Sequence, residues 1–211
     1  MIRVAIAILL TAVAPLIVMA DDTAGDFDFY VLALSWSPSY CARTGSTDTT
    51  QCGVERHGFI AHGLWPQYET GYPEYCRSRL SSRVPNATVE KIIDVTPSAG
   101  LIQHQWKKHG ICSGLEQSTY FDLLRRAFTK VSIPENYAEL GLDVVRNPEA
   151  IEAAFVTANP GLQSGGIAIT CKERRLADVR ICLTKDLEYR KCNEVDRKAC
   201  RTRWIQIPGI R

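Results

Sequence analysis

Apolar residues recur along the chain at two spacings, and each change of spacing marks an element. Residues 27–36 (FDFYVLALSW) are aromatic and aliphatic almost without a break. They predict a strand buried on both faces, hence central, ended by Ser37-Pro38-Ser39. Residues 58–64 (GFIAHGL) predict a second strand, closed by Trp65-Pro66, and a polar loop follows over 68–83. Helical spacing then takes over. Val89, Ile92 and Ile93 predict a helix that opens at Ala87 with Asn86 as its cap and is interrupted by Pro97. Residues 101–108 predict another, stopped by Gly110. Phe121, Leu124, Phe128 and Val131 predict an amphipathic helix over 120–131, ended by Pro134. Asn147-Pro148 opens a helix through Ile151, Ala154 and Phe155 that Asn159-Pro160-Gly161 stops. Residues 166–171 and 176–183 read as a hairpin on a short basic turn, and 204–207 as a last strand. Strands and helices that mix without βαβ alternation predict an α+β domain.

The first 20 residues fit no element of that domain. One cation, Arg3, precedes an apolar stretch from Val4 to Val18, broken by Thr11 and Pro15 and followed by Met19-Ala20. This pattern predicts a signal peptide over 1–20 cleaved after Ala20, leaving a single domain over 21–211. The apolar stretch is shorter than the ~20 residues that span a bilayer. The expected location is therefore periplasmic or extracellular, with no membrane association after cleavage. A chain that is 45% hydrophobic and 23% charged is neither disordered nor fibrous. A formal charge of +2 does not make the whole surface a trap for polyanions, so any nucleic-acid binding rests on a local patch.

Export changes the meaning of the eight cysteines, Cys41, Cys52, Cys76, Cys112, Cys171, Cys182, Cys192 and Cys200. An even number in an oxidising compartment predicts four disulfides, although eight cysteines allow 105 pairings and their spacing does not choose among them. Zinc is the rival reading. The last four cysteines, however, lie seven to ten residues apart, unlike the paired C-x-x-C of zinc knuckles.

Three of the four histidines fall in two short stretches, His62 in IAHGLWPQY and His104 with His109 in HQWKKHGIC. Five positions on a helix separate His104 and His109 by about 140° around the axis, which is unsuited to chelation, and H-E-x-x-H is absent. His109 directly precedes Gly110, where a helix ends and the side chain can turn back toward the His104 face. Several imidazoles, a lysine and no metal suit transfer at a phosphodiester: one imidazole takes a proton, another gives one, and cations hold the phosphorane. RNA supplies its own nucleophile in the 2′-hydroxyl.

HGLWPQY (62–68) and HQWKKHGIC (104–112) resemble the two active-site segments of the ribonuclease T2 family of secreted acid endoribonucleases. YVLALSWSPSYC and the closing ITC, VRIC, KC and AC segments are also similar to that family's first strand and C-terminal cysteine frame. The resemblance implies a mainly antiparallel central sheet that carries His62, flanked by helices, one of which bears the second motif. It implies His109 as general base, His62 as general acid, His104 as phosphate ligand and Lys108 as the cation on the phosphorane. Trp65 would stack on a base, with Gln67 and Tyr72 as further candidates for the same pocket. The implied disulfides are Cys76 with Cys112, Cys171 with Cys200, Cys182 with Cys192, and Cys41 with Cys52. The implied activity is cleavage of single-stranded RNA with little base preference, through 2′,3′-cyclic phosphates, by a monomer without cofactor.

One position departs from the family pattern. Gln105 stands where a glutamate is usual, so a carboxylate is missing. Gln105 and His109 are four apart, and the amide oxygen is expected to orient the imidazole without favouring its charged form. The same departure supplies the alternative function, a weakened relative that acts by binding RNA or as a toxin-like effector. Asn86-Ala87-Thr88 is a glycosylation sequon. His57, Lys107 and the arginines at 174–175 and 197–203 read as structural or solvated.

Overall fold

The computed structural model describes residues 22–44 and 49–211, so the leader expected over 1–20 lies outside the described residues. In chain order the elements are β1 (Phe29–Trp36), α1 (Ser37–Thr44), α2 (Thr49–Cys52), β2 (Phe59–Gln67), α3 (Asn86–Ile92), α4 (Ala99–Lys108), α5 (Gln117–Lys130), α6 (Glu135–Ala138), β3 (Val144–Arg146), α7 (Pro148–Ala158), β4 (Ile167–Lys172), β5 (Arg175–Leu183), α8 (Asn193–Arg197) and β6 (Ile205–Ile207). The strands form one sheet in the order β2-β1-β5-β6-β3, with β4 also paired to β5. Every pairing is antiparallel except β5 with β6. The α+β class is therefore as expected, and β1 lies inside the sheet, between β2 and β5.

β1 separates two apolar layers. Tyr30, Leu32, Leu34 and Trp36 point into the main core, which α4 (Ile102, Trp106), α5 (Tyr120, Phe121, Leu124) and α7 (Ile151, Phe155) cover. Each large side chain buried this way contributes about 1.5 to 3 kcal/mol. On the other face Phe29 and Val31 join a smaller cluster with Ala168, Cys182, Cys192 and Val195. Val31 and Val195 of that cluster also line a cavity on this face.

Several boundaries differ from the sequence reading. Ser37-Pro38-Ser39 does end β1, but it also opens α1, because a proline in the first helical turn gives up an N–H that has no partner anyway. β2 continues through Trp65-Pro66 to Gln67 instead of stopping at Leu64. Pro66 is tolerated because β2 is an edge strand, where a missing donor costs the sheet nothing. Asn86 does not cap α3; Pro85 occupies that position, and no side chain bonds the helix start. Asn147 does cap α7, its side chain accepting from the Glu149 N–H at 2.8 Å. β6 begins at Ile205, leaving Trp204 44% exposed.

The cysteines pair as Cys41–Cys52, Cys76–Cys112, Cys171–Cys200 and Cys182–Cys192, the set the resemblance implied. The thiolates a zinc site would need are thereby committed. No helix among the described residues is long and apolar enough to cross a membrane.

Candidate active site

His62 owes its direction to a fault in the β1–β2 ladder. Gly63 faces Ala33 and Ala61 faces Leu34, so His62 is the extra residue of a bulge, a device that re-aims one side chain. The backbone around it is held from the free edge. The Ala61 N–H donates to Val95 O and the Thr96 hydroxyl to Ala61 O, each at 2.8 Å. Tyr120 fixes the next turn of the strand by donating to Leu64 O at 2.9 Å. Nδ1 of His62 lies 2.8 Å from Ser35 Oγ on β1 and 3.3 Å from Asp178 Oδ1 on β5.

α4 brings the other imidazoles. Its start is capped by Ser98, whose hydroxyl accepts from the Leu101 N–H, and it ends at Lys108. His109 leaves the helix at φ −120° and ψ −47°, so its side chain turns back, as expected, and a tight turn over Gly110–Ser113 follows. The Cys76–Cys112 bridge clamps this turn to the loop after β2. His104 and Lys108 lie one turn apart on the helix.

His109 is buried, and its Nδ1 has no hydrogen-bond partner among the described residues. Burial, together with repulsion from the neighbouring Lys108, His62, His104 and Arg180 side chains, pushes its pKa down to about 3. The imidazole is therefore neutral in mildly acidic water. Lys108 Nζ lies 3.2 Å from Glu74, whose hydrogen bond outweighs burial and holds the ammonium pKa up. Asp178 would be pushed up by burial, but the hydrogen bond and charge of His62, the Ser35 hydroxyl and Arg180 prevail and hold it at about 2.

Trp65 ties the two segments together. Its indole N–H donates to Gln105 Oε1 at 2.7 Å, and its ring centroid lies 5.4 Å from that of His62 and 5.2 Å from that of His109. The Arg180 guanidinium sits 5.2 Å from the indole centroid. Gly63 makes the arrangement possible, since a Cβ there would meet Gln105 Oε1 at 2.4 Å and Trp65 Nε1 at 2.5 Å. One expectation is corrected here: the Gln105 oxygen is taken by Trp65 and does not orient His109, because the indole donor faces it while His109 Nδ1 stays unbonded.

All eight residues singled out from the sequence, His62, Trp65, Gln67, Tyr72, His104, Gln105, Lys108 and His109, line one cavity. Val31, Arg180, Val195 and Lys198 complete its wall. Gln67 also braces the neighbouring loop, donating to Gly71 O at 3.2 Å, and the Tyr72 ring lies 6.1 Å from that of His109. Lys107 is exposed and His57 is not in the wall, consistent with the bland reading of both. Ser35, Glu74, Asp178 and Arg180 were missed. For Asp178 and Arg180 the available signal was the LADVRIC run, where two charges two apart, hence on one face, interrupt an otherwise apolar strand.

Comparison with known proteins gives the class to which this fold and cavity belong. Residues 27–192 match the sequence model of the Ribonuclease T2 family. A ribonuclease of Aeromonas hydrophila is 36% identical over 173 residues, which cover 80% of this chain and 77% of the relative. The RNase-related protein from Calystegia sepium superposes with a TM-score of 0.73 at 23% identity, covering 88% of this chain and 98% of its own. RNase NT in complex with 5′-AMP superposes at 0.62 with 23% identity, covering 88% and 100%. The chain belongs to the ribonuclease T2 family and is, with it, an RNA-cleaving endoribonuclease.

Proposed function

We propose that the protein cleaves single-stranded RNA without a metal ion, by transphosphorylation. His109 takes the proton of the 2′-hydroxyl, the 2′-oxygen forms a bond to phosphorus, and the bond from phosphorus to the 5′-oxygen breaks. His62 gives its Nε2 proton to that leaving oxygen, so the products are a 2′,3′-cyclic phosphate and a free 5′-hydroxyl. Slow hydrolysis of the cyclic phosphate then yields the 3′-phosphate. His104, Lys108 and Arg180 hold the charge that grows on the phosphorane. Each positioned proton donor or acceptor contributes about 10² to 10⁴ in rate.

The observation that carries this reading is the meeting of His62, His104, His109 and Lys108 in one cavity, with His109 held neutral. The Trp65 indole, Gln67 and the half-exposed Tyr72 offer stacking and amide contacts that tolerate any base, which supports weak base preference. The nucleotide bound by RNase NT supports the same kind of occupant. Four disulfides support an oxidising compartment and so a secreted or periplasmic location; release by cleavage after Ala20 and a monomeric state belong to the same proposal. A short RNA digested in EDTA at several pH values, with mass spectrometry of the ends, tests the proposal. Cyclic phosphate ends and an uncut 2′-deoxy analogue are expected. Loss of activity in EDTA, or 5′-phosphate products, would overturn it, and binding without cleavage would favour the weakened relative.

A further inference from the structure

A carboxylate absent from one side of the cavity is present on the other. Gln105 stands where the family pattern has an acid next to His104, while Asp178 lies behind His62 with 13% of its side chain exposed. Asp178 also sits at a bulge: Ile169 pairs with Val179 and Cys171 with Leu176, so Ala177 and Asp178 together face Thr170 alone. Two faults in the sheet, at His62 on β2 and at Asp178 on β5, thus turn these side chains toward each other across β1. Ser35 fills the gap between them. It is paired with Asp178 in the β1–β5 register.

The hydrogen bonds leave one proton arrangement. Ser35 Oγ lies 2.6 Å from Asp178 Oδ1, and a carboxylate only accepts, so the single hydroxyl proton goes to Asp178. Nδ1 of His62 then faces two acceptors, Ser35 Oγ at 2.8 Å and Asp178 Oδ1 at 3.3 Å, and must carry a proton itself. The other carboxylate oxygen is held by the Thr170 hydroxyl at 3.3 Å and by Arg180 at 3.5 Å.

We propose that Asp178, with Ser35 as its bridge, is the positioning residue of the general acid: it fixes the Nδ1–H form of His62, aims Nε2 at the leaving 5′-oxygen and stabilises the ring while Nε2 carries the transferable proton. The inference rests on the assignment of His62 as general acid. In each turnover His62 loses its Nε2 proton to the 5′-oxygen and regains one from water, while the Nδ1 proton stays in place. Asp178 is not itself protonated in the cycle.

A leaving group that needs no proton separates this role from a structural one. Steady-state cleavage of the dinucleotide uridylyl-3′,5′-adenosine would be compared with that of uridine 3′-(4-nitrophenyl phosphate), whose phenolate departs unprotonated. Asp178→Asn is expected to lower kcat on the dinucleotide about tenfold or more, within the ~10²- to 10⁴-fold a general acid supplies, with KM little changed. On the aryl ester the loss is expected to stay within about threefold. Ser35→Ala alters no charge and serves if Asp178→Asn does not fold; the same selective loss, smaller in size, is expected. Equal loss on both substrates, or none, would overturn the inference. His62→Ala is the reference: if its own loss does not depend on the leaving group, the assignment of the general acid falls as well, whereas selectivity in His62→Ala alone sinks only the role of Asp178.

Discussion

At the scale of single residues, the cavity is organised by which groups are denied partners as much as by which have them. His109 Nδ1 is buried and has no partner among the described residues, and its proton affinity is lowered by burial and by repulsion from the neighbouring Lys108, His62, His104 and Arg180. Gln105 lies one turn earlier, and among the described residues its side-chain oxygen accepts from Trp65. Gln105→Glu keeps an oxygen for the indole and adds a negative charge, which favours the imidazolium. The acid limb of the kcat/KM profile on RNA is therefore expected to move to higher pH by about 1 unit, because the base must be neutral to act. Identical profiles for the two proteins would refute this. Gly63→Ala places a methyl group where Trp65 and Gln105 meet and pushes the indole away. Misplacement of this order costs about 10²-fold in kcat/KM, measurable on any RNA substrate, while unaltered activity would show that Trp65 does not set the geometry.

At the scale of elements, much was legible from periodicity. The stripes of α5 and α7, the hairpin of β4 and β5, and the doubly buried β1 all formed where apolar spacing placed them. The failures were α1, whose Ser37-Pro38-Ser39 opening was read only as a strand end, and the shorter pieces α2, α6, α8 and β3, in which three to five residues hold too few apolar positions to show a period. The two bulges were equally invisible, because a bulge is a mismatch between strands and belongs to neither sequence alone. α7 carries a consequence of its own packing. Glu152 is pushed up to about 7 by burial, by Asp196 and by Glu149 one turn earlier. The folded state thus keeps a proton that the unfolded chain has released, so stability present below the ordinary carboxylate range is lost as pH rises through about 7. Glu152→Gln removes that loss. Screening at this half-buried site leaves about 1 kcal/mol, hence a Tm raised by about 2 to 4 °C at pH 8 and unchanged at pH 4. Equal shifts at both pH values would count against it.

At the scale of the whole molecule, the site exists because separate parts of the chain are fastened around one sheet face. The Cys76–Cys112 bridge, 36 residues apart, joins the loop bearing Glu74 to the turn bearing His109. Replacing both cysteines by serine is expected to cost about 3 to 4 kcal/mol in urea unfolding. A loss below about 1 kcal/mol would mean that the surrounding core already holds the turn. Both histidine motifs and the even cysteine count could be read from the order of residues, since each is a local pattern with its own chemistry. The disulfide set followed only from resemblance, because spacing leaves every pairing open. Asp178 and Ser35 behind His62, Arg180 over Trp65 and Glu74 beside Lys108 became visible only in three dimensions. Each of those pairs joins residues far apart in the chain, and long-range proximity is set by sheet register and bulges, which no single segment encodes.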